Sequence, residues 1–325
     1  MIRLTPLAAA VVLLAAPIAG SAQKPLDEDV RAAVLKRVLD ALDKGYVFPD
    51  VAAAMARAAR TAESAGKYRT ITDPQAYAQA LTEDLRAISH DGHLRVVYRT
   101  PGGNQQQGGG PPPQRTLVSH ERLEGNIGYI KLLGFPPPQI IGPPLDAAFS
   151  ALANTDALIV DLRENGGGAP TGAMYLAGYL MKQRTLMARI YSRPDNETTE
   201  MWTEEVKGAR YLDKPVYVLT SRKTFSAAEA AAYHLKHIGR VQTVGDTTGG
   251  GAHRINGADV GNGFMVSVPM TRPINVVTGG DWEGTGVIPD IAVPAERALV
   301  SAQLAALRKL PPSAERAALI RKLGG

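Results

Sequence analysis

The stretch at residues 216–236 constrains this chain most. A five-residue run, Val-Tyr-Val-Leu-Thr, passes through a short turn into Ser-Ala-Ala-Glu-Ala-Ala-Ala-Tyr-His-Leu-Lys. An unbroken apolar run reads as a strand buried on both faces, and the Ala-rich segment as a helix beginning near Ser226. Such strands belong to parallel sheets covered by helices, so the stretch calls for an α/β fold. It also places the Ser226 hydroxyl at a helix N-terminus, where unpaired N–H groups and the helix dipole favour negative charge. Two uses stay open. Ser226 and Glu229 fit S-x-x-E, a capping box in which the serine merely closes the helix. Alternatively the hydroxyl is a nucleophile beside a place for developing negative charge.

A second β-to-α unit precedes it. Residues 157–162 read as a fully buried strand that runs into Arg-Glu-Asn-Gly-Gly-Gly at 163–168, followed by a helix over 171–181. Ligands in such sheets sit at the carboxyl ends of strands, where both turns fall. The glycine turn lacks the Lys-Ser or Lys-Thr of a P-loop and the order of a dinucleotide site, which argues against nucleotide binding. Glycines do let backbone N–H groups approach a substrate carbonyl. With the amide of Ala227 they can form an oxyanion hole.

The rest of the chain is read around these units. Residues 1–22 have the charged, apolar and small-residue regions of a secretory signal, so export and cleavage near Ala22 are expected, with no membrane span in the mature chain. Residues 27–88 carry helical periodicity in three segments and form a small bundle. His-Asp-Gly-His follows at 90–93 and leads into a strand over 94–98. His90 and His93 can be structural there. Their spacing also invites a metal reading, but no third ligand stands at a supporting distance in sequence, so none is expected. A Gly/Pro-rich connector fills 101–113. Strands are expected at 116–118, 127–133 and 240–245, a helix at 145–153, and a hairpin-like region through 264–277. A glycine-rich turn then carries Asp281, Glu283 and Asp290, any of which can orient a histidine. Terminal helices at 296–310 and 314–323 should pack on the outside.

Composition adds mainly exclusions. The chain has 325 residues, enough for one large domain or two smaller ones. Its net charge of +5 is spread among acidic residues, which leaves no patch built for nucleic acid. With no cysteine there is neither a disulfide framework nor a thiol nucleophile.

Five motifs in register carry a resemblance: His90-Asp-Gly-His93, Asp-Leu-Arg-Glu-Asn-Gly-Gly-Gly at 161–168, Thr-Phe-Ser-Ala-Ala-Glu at 224–229, Val-Gly-Asp-Thr-Thr-Gly-Gly-Gly at 244–251, and Trp-Glu-Gly-Thr-Gly-Val-Ile-Pro-Asp-Ile at 282–291. Together they resemble the tail-specific, or C-terminal-processing, serine peptidases, in the branch with tricorn protease and interphotoreceptor retinoid-binding protein. The resemblance implies an α/β core of the ClpP/crotonase type over 91–325, with a loop at 100–115 and a helical N-terminal subdomain over 23–90. It implies Ser226 as nucleophile, His93 as general base and Glu283 as the acid that orients it. Ala227 and either Gly167 or Gly168 would supply the oxyanion donors. No cofactor is expected, and peptide or protein is the expected substrate. No lysine stands at 247–252, which favours the histidine mechanism over a serine-lysine dyad. The connector leaves no room for the PDZ domain that many members carry. A carrier of apolar ligands on the same fold is the competing expectation.

Overall fold

Strands β4 and β7, at Ala157–Asp161 and Val216–Thr220, are buried at every residue, because each has apolar side chains on both faces. They pair in parallel, Leu158 opposite Val216 and Asp161 opposite Leu219, so their carboxyl ends lie side by side. The computed structural model describes residues 25–99 and 117–325; the expected signal and the Gly/Pro-rich connector lie outside them.

In chain order the elements are α1 (Glu28–Gly45), α2 (Pro49–Ser64), α3 (Pro74–Ser89), β1 (Arg95–Tyr98), β2 (Val118–Leu123), β3 (Ile127–Leu132), α4 (Pro138–Leu152), β4, α5 (Pro170–Leu180), β5 (Leu186–Ser192), β6 (Glu197–Trp202), β7, α6 (Ala227–His237), β8 (Gln242–Gly245), β9 (Arg254–Gly261), β10 (Phe264–Asn275), β11 (Ile291–Ala292), α7 (Ala298–Lys309) and α8 (Ala314–Lys322). One sheet has the order β11-β8-β7-β4-β3-β2 and is parallel except at β2. The other runs β1-β10-β5-β6, with β9 also on β10, and is antiparallel throughout.

Side-chain alternation along β4 shows how the first sheet is covered. Leu158 and Val160 join a core with α4, α5 and α6, whereas Ala157 and Ile159 join a second core with Ala298, Ala302 and Ala306 of α7. The terminal helix α7 is therefore one of the sheet's two covers, where the sequence suggested an outside helix. A third core unites α1 to α3 with β1, β9 and β10, through Leu42, Tyr77, Leu81, Val96, Phe264 and Val266.

Four elements depart from the sequence expectation. Helix α4 starts at Pro138, not near 145, and contains Pro143 and Pro144. Both prolines are exposed, and the buried face of Ile141, Leu145, Phe149 and Leu152 outweighs their missing N–H donors. Strand β2 runs to Leu123, and the β5–β6 hairpin was not read at all. Their outer strands, Val-Ser-His-Glu-Arg-Leu and Glu-Thr-Thr-Glu-Met-Trp, are largely exposed and polar on both faces, so they carry no alternation. Among the described residues no helix is long and apolar enough to cross a membrane.

Candidate active site

The two turns that leave β4 and β7 are tied to each other. The Thr224 hydroxyl donates to the Leu162 carbonyl at 2.8 Å, the Ser221 hydroxyl to the Arg163 carbonyl at 2.5 Å, and the Phe225 amide to the Asn165 carbonyl at 3.1 Å. They deliver Ser226 to the start of α6 with φ 55° and ψ −120°, a conformation outside the usual regions for a residue with a side chain. Ser226 and Glu229 do hold capping-box geometry. Its firm bond is the Ser226 amide donating to Glu229 Oε2 at 2.8 Å. Glu229 is fully buried and also accepts from the Thr248 hydroxyl and from the amides of Gly250 and Gly251, at 2.7 and 2.9 Å. Burial pushes its carboxyl above the ordinary range, against the pull of those hydrogen bonds.

The glycine turn closes on this serine. Gly167 has φ +102°, and a Cβ there would stand 2.7 Å from the Phe225 carbonyl oxygen and 2.8 Å from Ser226 Cβ, so no other residue fits. Its amide already donates to Asn165 Oδ1 at 2.9 Å. Gly168, by contrast, lines a cavity of about 330 Å³ together with Ala227, Ser226 and His93. Ile190, Met201, Pro273 and Trp282 form much of the apolar wall. A larger cavity of about 720 Å³ lies far from these turns, between Glu124–Asn126 and α8, and brings no serine and histidine together.

His93 reaches the cavity because α3 ends in a left-handed residue. His90, at φ 53°, is the C-cap of that helix and is exposed. The chain then turns through Asp91 and Gly92, and the His93 ring packs on Phe225 with centroids 4.8 Å apart. His93 Nδ1 is buried and stands 3.9 Å from Glu283 Oε2, close but beyond hydrogen-bond distance. Glu283 itself is fixed by three backbone amides: Gly92 on Oε1 at 2.9 Å, and Ala252 and His253 on Oε2 at 2.5 and 3.0 Å. The other two carboxylates of its segment point elsewhere. Asp290 accepts from the Thr243 amide and hydroxyl and pairs with Lys236 at 3.0 Å. Asp281 accepts the Glu283 amide and faces a different histidine.

That histidine, His253, and its partner Asp91 were not singled out as site residues by sequence. His253 is 3% exposed and Asp91 fully buried. His253 Nδ1 meets Asp91 Oδ2 at 2.6 Å and lies 3.6 Å from Glu283 Oε2, and its Nε2 lies 3.8 Å from Asp281 Oδ2. Burial favours the neutral ring, but Asp281 and Asp91 outweigh it and raise the pKa to about 9. Burial likewise pushes the Asp91 carboxyl up, and the bonds from His253 and from the His93 amide hold it below the ordinary range. Asp91 lies inside a quoted motif, between the two histidines, and His253 stands two residues beyond the Gly-Gly-Gly that ends another. Their pairing across 162 positions leaves no local trace.

Asp91, His93 and Glu283 offer atoms within 4.8 Å of one another, the closeness a metal needs. The donor set does not suit a cation, because the oxygens of both carboxylates already accept N–H groups and His253 stands against them.

Two β-to-α turns thus meet at Ser226, with His93 on the same cavity, on a mixed α/β fold. Residues 126–293 match the family model described as Peptidase family S41, and residues 28–124 match the N-terminal domain of Peptidase S41 in eukaryotic IRBP. The chain belongs to peptidase family S41, a family of serine-type peptidases. It is 26% identical over 170 residues to carboxyl-terminal-processing peptidase 2, chloroplastic, of Arabidopsis thaliana, covering 52% of this chain and 32% of that protein. It is 27% identical over 178 residues to carboxy-terminal processing protease CtpA of Bacillus subtilis, covering 54% and 36%. The chain thus spans about a third of the length of these relatives. The fold is similar to that of the photosystem II D1 C-terminal processing protease, with TM-score 0.53 and 16% identity over 83% of this chain and 94% of that one.

Proposed function

We propose that this chain is a serine peptidase in which Ser226 is the nucleophile, His93 the general base and Glu283 the acid behind it. The observation that carries the proposal is the placement of Ser226, in a rare backbone conformation at the start of α6, on the same cavity as His93. In this reading His93 removes the Ser226 proton as Oγ bonds to the substrate carbonyl carbon. The oxyanion is held by the amides of Ala227 and Gly168; Gly167, its own amide engaged by Asn165, contributes the close approach of the turn. As the tetrahedral intermediate collapses, the carbon–nitrogen bond breaks and His93 passes the proton to the leaving amine. Water, activated by the same base, then releases the acyl group from Ser226. Glu283 stands 3.9 Å from Nδ1, where its charge offsets that of the imidazolium as it forms. The substrate is a peptide or protein, and the signal-like residues 1–22 assign the work to an exported protein.

The apolar wall of Ile190, Met201, Pro273 and Trp282 favours one other reading, a carrier of an apolar ligand. A fluorophosphonate probe separates them. Labelling of the wild-type protein that disappears in Ser226→Ala supports the peptidase. A protein that binds apolar ligands but never labels supports the carrier.

A further inference from the structure

We propose that His253 is a positioning residue for this reaction, a buried imidazolium that offsets the carboxylates behind His93 and so limits how strongly they hold a proton on that ring. The inference rests on the assignment of His93 as the base.

The geometry argues for the charge before any titration is considered. Nδ1 is committed to Asp91 Oδ2 at 2.6 Å, so it carries a proton. A neutral ring would then turn the lone pair of Nε2 outward, and Nε2 is buried, without a hydrogen-bond partner, 3.8 Å from Asp281 Oδ2. A lone pair facing a carboxylate in a water-poor site is repelled, whereas an N–H there is attracted. The ring is therefore protonated on both nitrogens, and the raised pKa of about 9 agrees.

The surroundings show what that charge does. Asp91 faces it from the turn after α3, Asp281 and Glu283 from the segment before β11, and Phe48 from the junction of α1 and α2, while His93 lines the same cavity. The Phe48 ring lies 5.6 Å from the His253 ring, and the Tyr46 hydroxyl donates to Asp91 Oδ2 at 3.3 Å. Arg272 of β10 lies on Phe48 at 5.2 Å and is the other cation felt by Asp281, while Arg254 follows His253 and is exposed. Asp91 and Glu283 thus lie close to His93, and Asp281 adds a third carboxylate on the far side of His253. Uncompensated, they would stabilise the protonated form of His93, and a protonated base cannot accept the Ser226 proton. His253 touches or nears all three and leaves Glu283 enough field to orient His93.

His253→Gln keeps a donor for Asp91 and removes the charge. The expected result is that the acid limb of the kcat/KM profile, or of fluorophosphonate labelling, moves up by about one pH unit, with roughly tenfold lower activity below the limb and a nearly unchanged plateau above it. Adding Asp281→Asn should bring the limb back, because one negative charge leaves with the positive one. A lower plateau with an unmoved limb makes His253 merely structural and overturns the proposal. Should His253→Gln fail to fold, the full chain carrying Ser226→Ala decides by NMR: the His253 ring must stay protonated through pH 8, and titration below pH 7 sinks the idea. A wild-type protein that never labels at any pH rejects the peptidase reading itself, an outcome distinct from labelling with an unmoved limb.

Discussion

Ser226 is one of five non-glycine residues with positive φ among those described, and the other four are His90 and three asparagines. Histidine and asparagine tolerate the left-handed region; Ser226, at ψ −120°, is not in it. Strain of this kind persists only where neighbours over-determine it, and here the Glu229 bond and the Gly167 contact do so. For the proposed triad, His93→Ala should lower kcat about a thousandfold or more, and His90→Ala should be mild, since His90 caps α3 in solvent. Equal losses would break the assignment. Glu283→Gln should lower kcat less than Ser226→Ala, because the amide stabilises an imidazolium poorly, and since both Glu283 oxygens accept backbone amides its NH2 group also leaves at least one donor unsatisfied, so urea unfolding is compared alongside the kinetics. Full activity in Glu283→Gln, measured by steady-state kinetics, removes the third member. The proposed residues Ser226, His93 and Glu283 each stand in a short motif, so their candidacy was legible in the sequence. Asp91 shares the motif of His93 and His253 follows the glycine run at 249–251, but their pairing arises only from contact between segments far apart.

The structural element that holds the site is the clamp made by Glu229 across α6 and the loop at 246–253. As the N3 residue of a capping box it looked like local helix chemistry, and that part was legible. The carboxylate does more, for it also gathers the Thr248 hydroxyl and the amides of Gly250 and Gly251, drawing the loop that carries Ala252 and His253 against the start of α6. Ala252 and His253 in turn hold Glu283 by their amides. Glu229→Gln places an NH2 group among N–H donors, leaving at least one of them unsatisfied in a buried site. It should cost about 2 kcal/mol in urea unfolding and reduce activity together with stability. A variant as stable and active as wild type would show that the clamp is dispensable. Other elements escaped reading for a physical reason. Strands β2 and β6 are polar on both faces, and α4 hides its start behind two prolines, so neither periodicity nor breaker signals mark them.

Across the whole molecule, the site sits where separately built cores meet. His93 comes from the core of α1 to α3, β1, β9 and β10, and Ser226 from the parallel sheet. Sequence periodicity could give both parts but not their mutual packing, since Arg193 bridging to the carbonyls of Tyr46 and Asp43 joins positions with no pattern in common. This junction makes the stability of the fold depend on pH through a second histidine. His234 of α6 is 1% exposed, packs on Trp282 at 5.5 Å, and faces Asn275 across 2.8 Å. The Asn275 Oδ1 accepts the amides of Val277 and Thr278, so its NH2 group points at His234 Nδ1, which must be an acceptor on a neutral ring. Burial, aided by His237, lowers the His234 pKa to about 3. The unfolded chain binds this proton from about pH 6.5 downward while the fold resists it, so stability is full above pH 6.5 and declines as the pH falls toward 3. At pH 4 the loss from this residue is on the order of 3 kcal/mol. The sign is opposite for His253, whose contribution is full below about pH 6.5 and is lost as the pH rises through about 9. Unfolding free energy measured in urea should therefore fall on both sides of a maximum near neutrality. His234→Gln should flatten the acid side relative to wild type and leave the alkaline side unchanged. An acid limb equally steep in His234→Gln would mean that the buried carboxylates alone set it, and that His234 already takes up its proton in the folded protein.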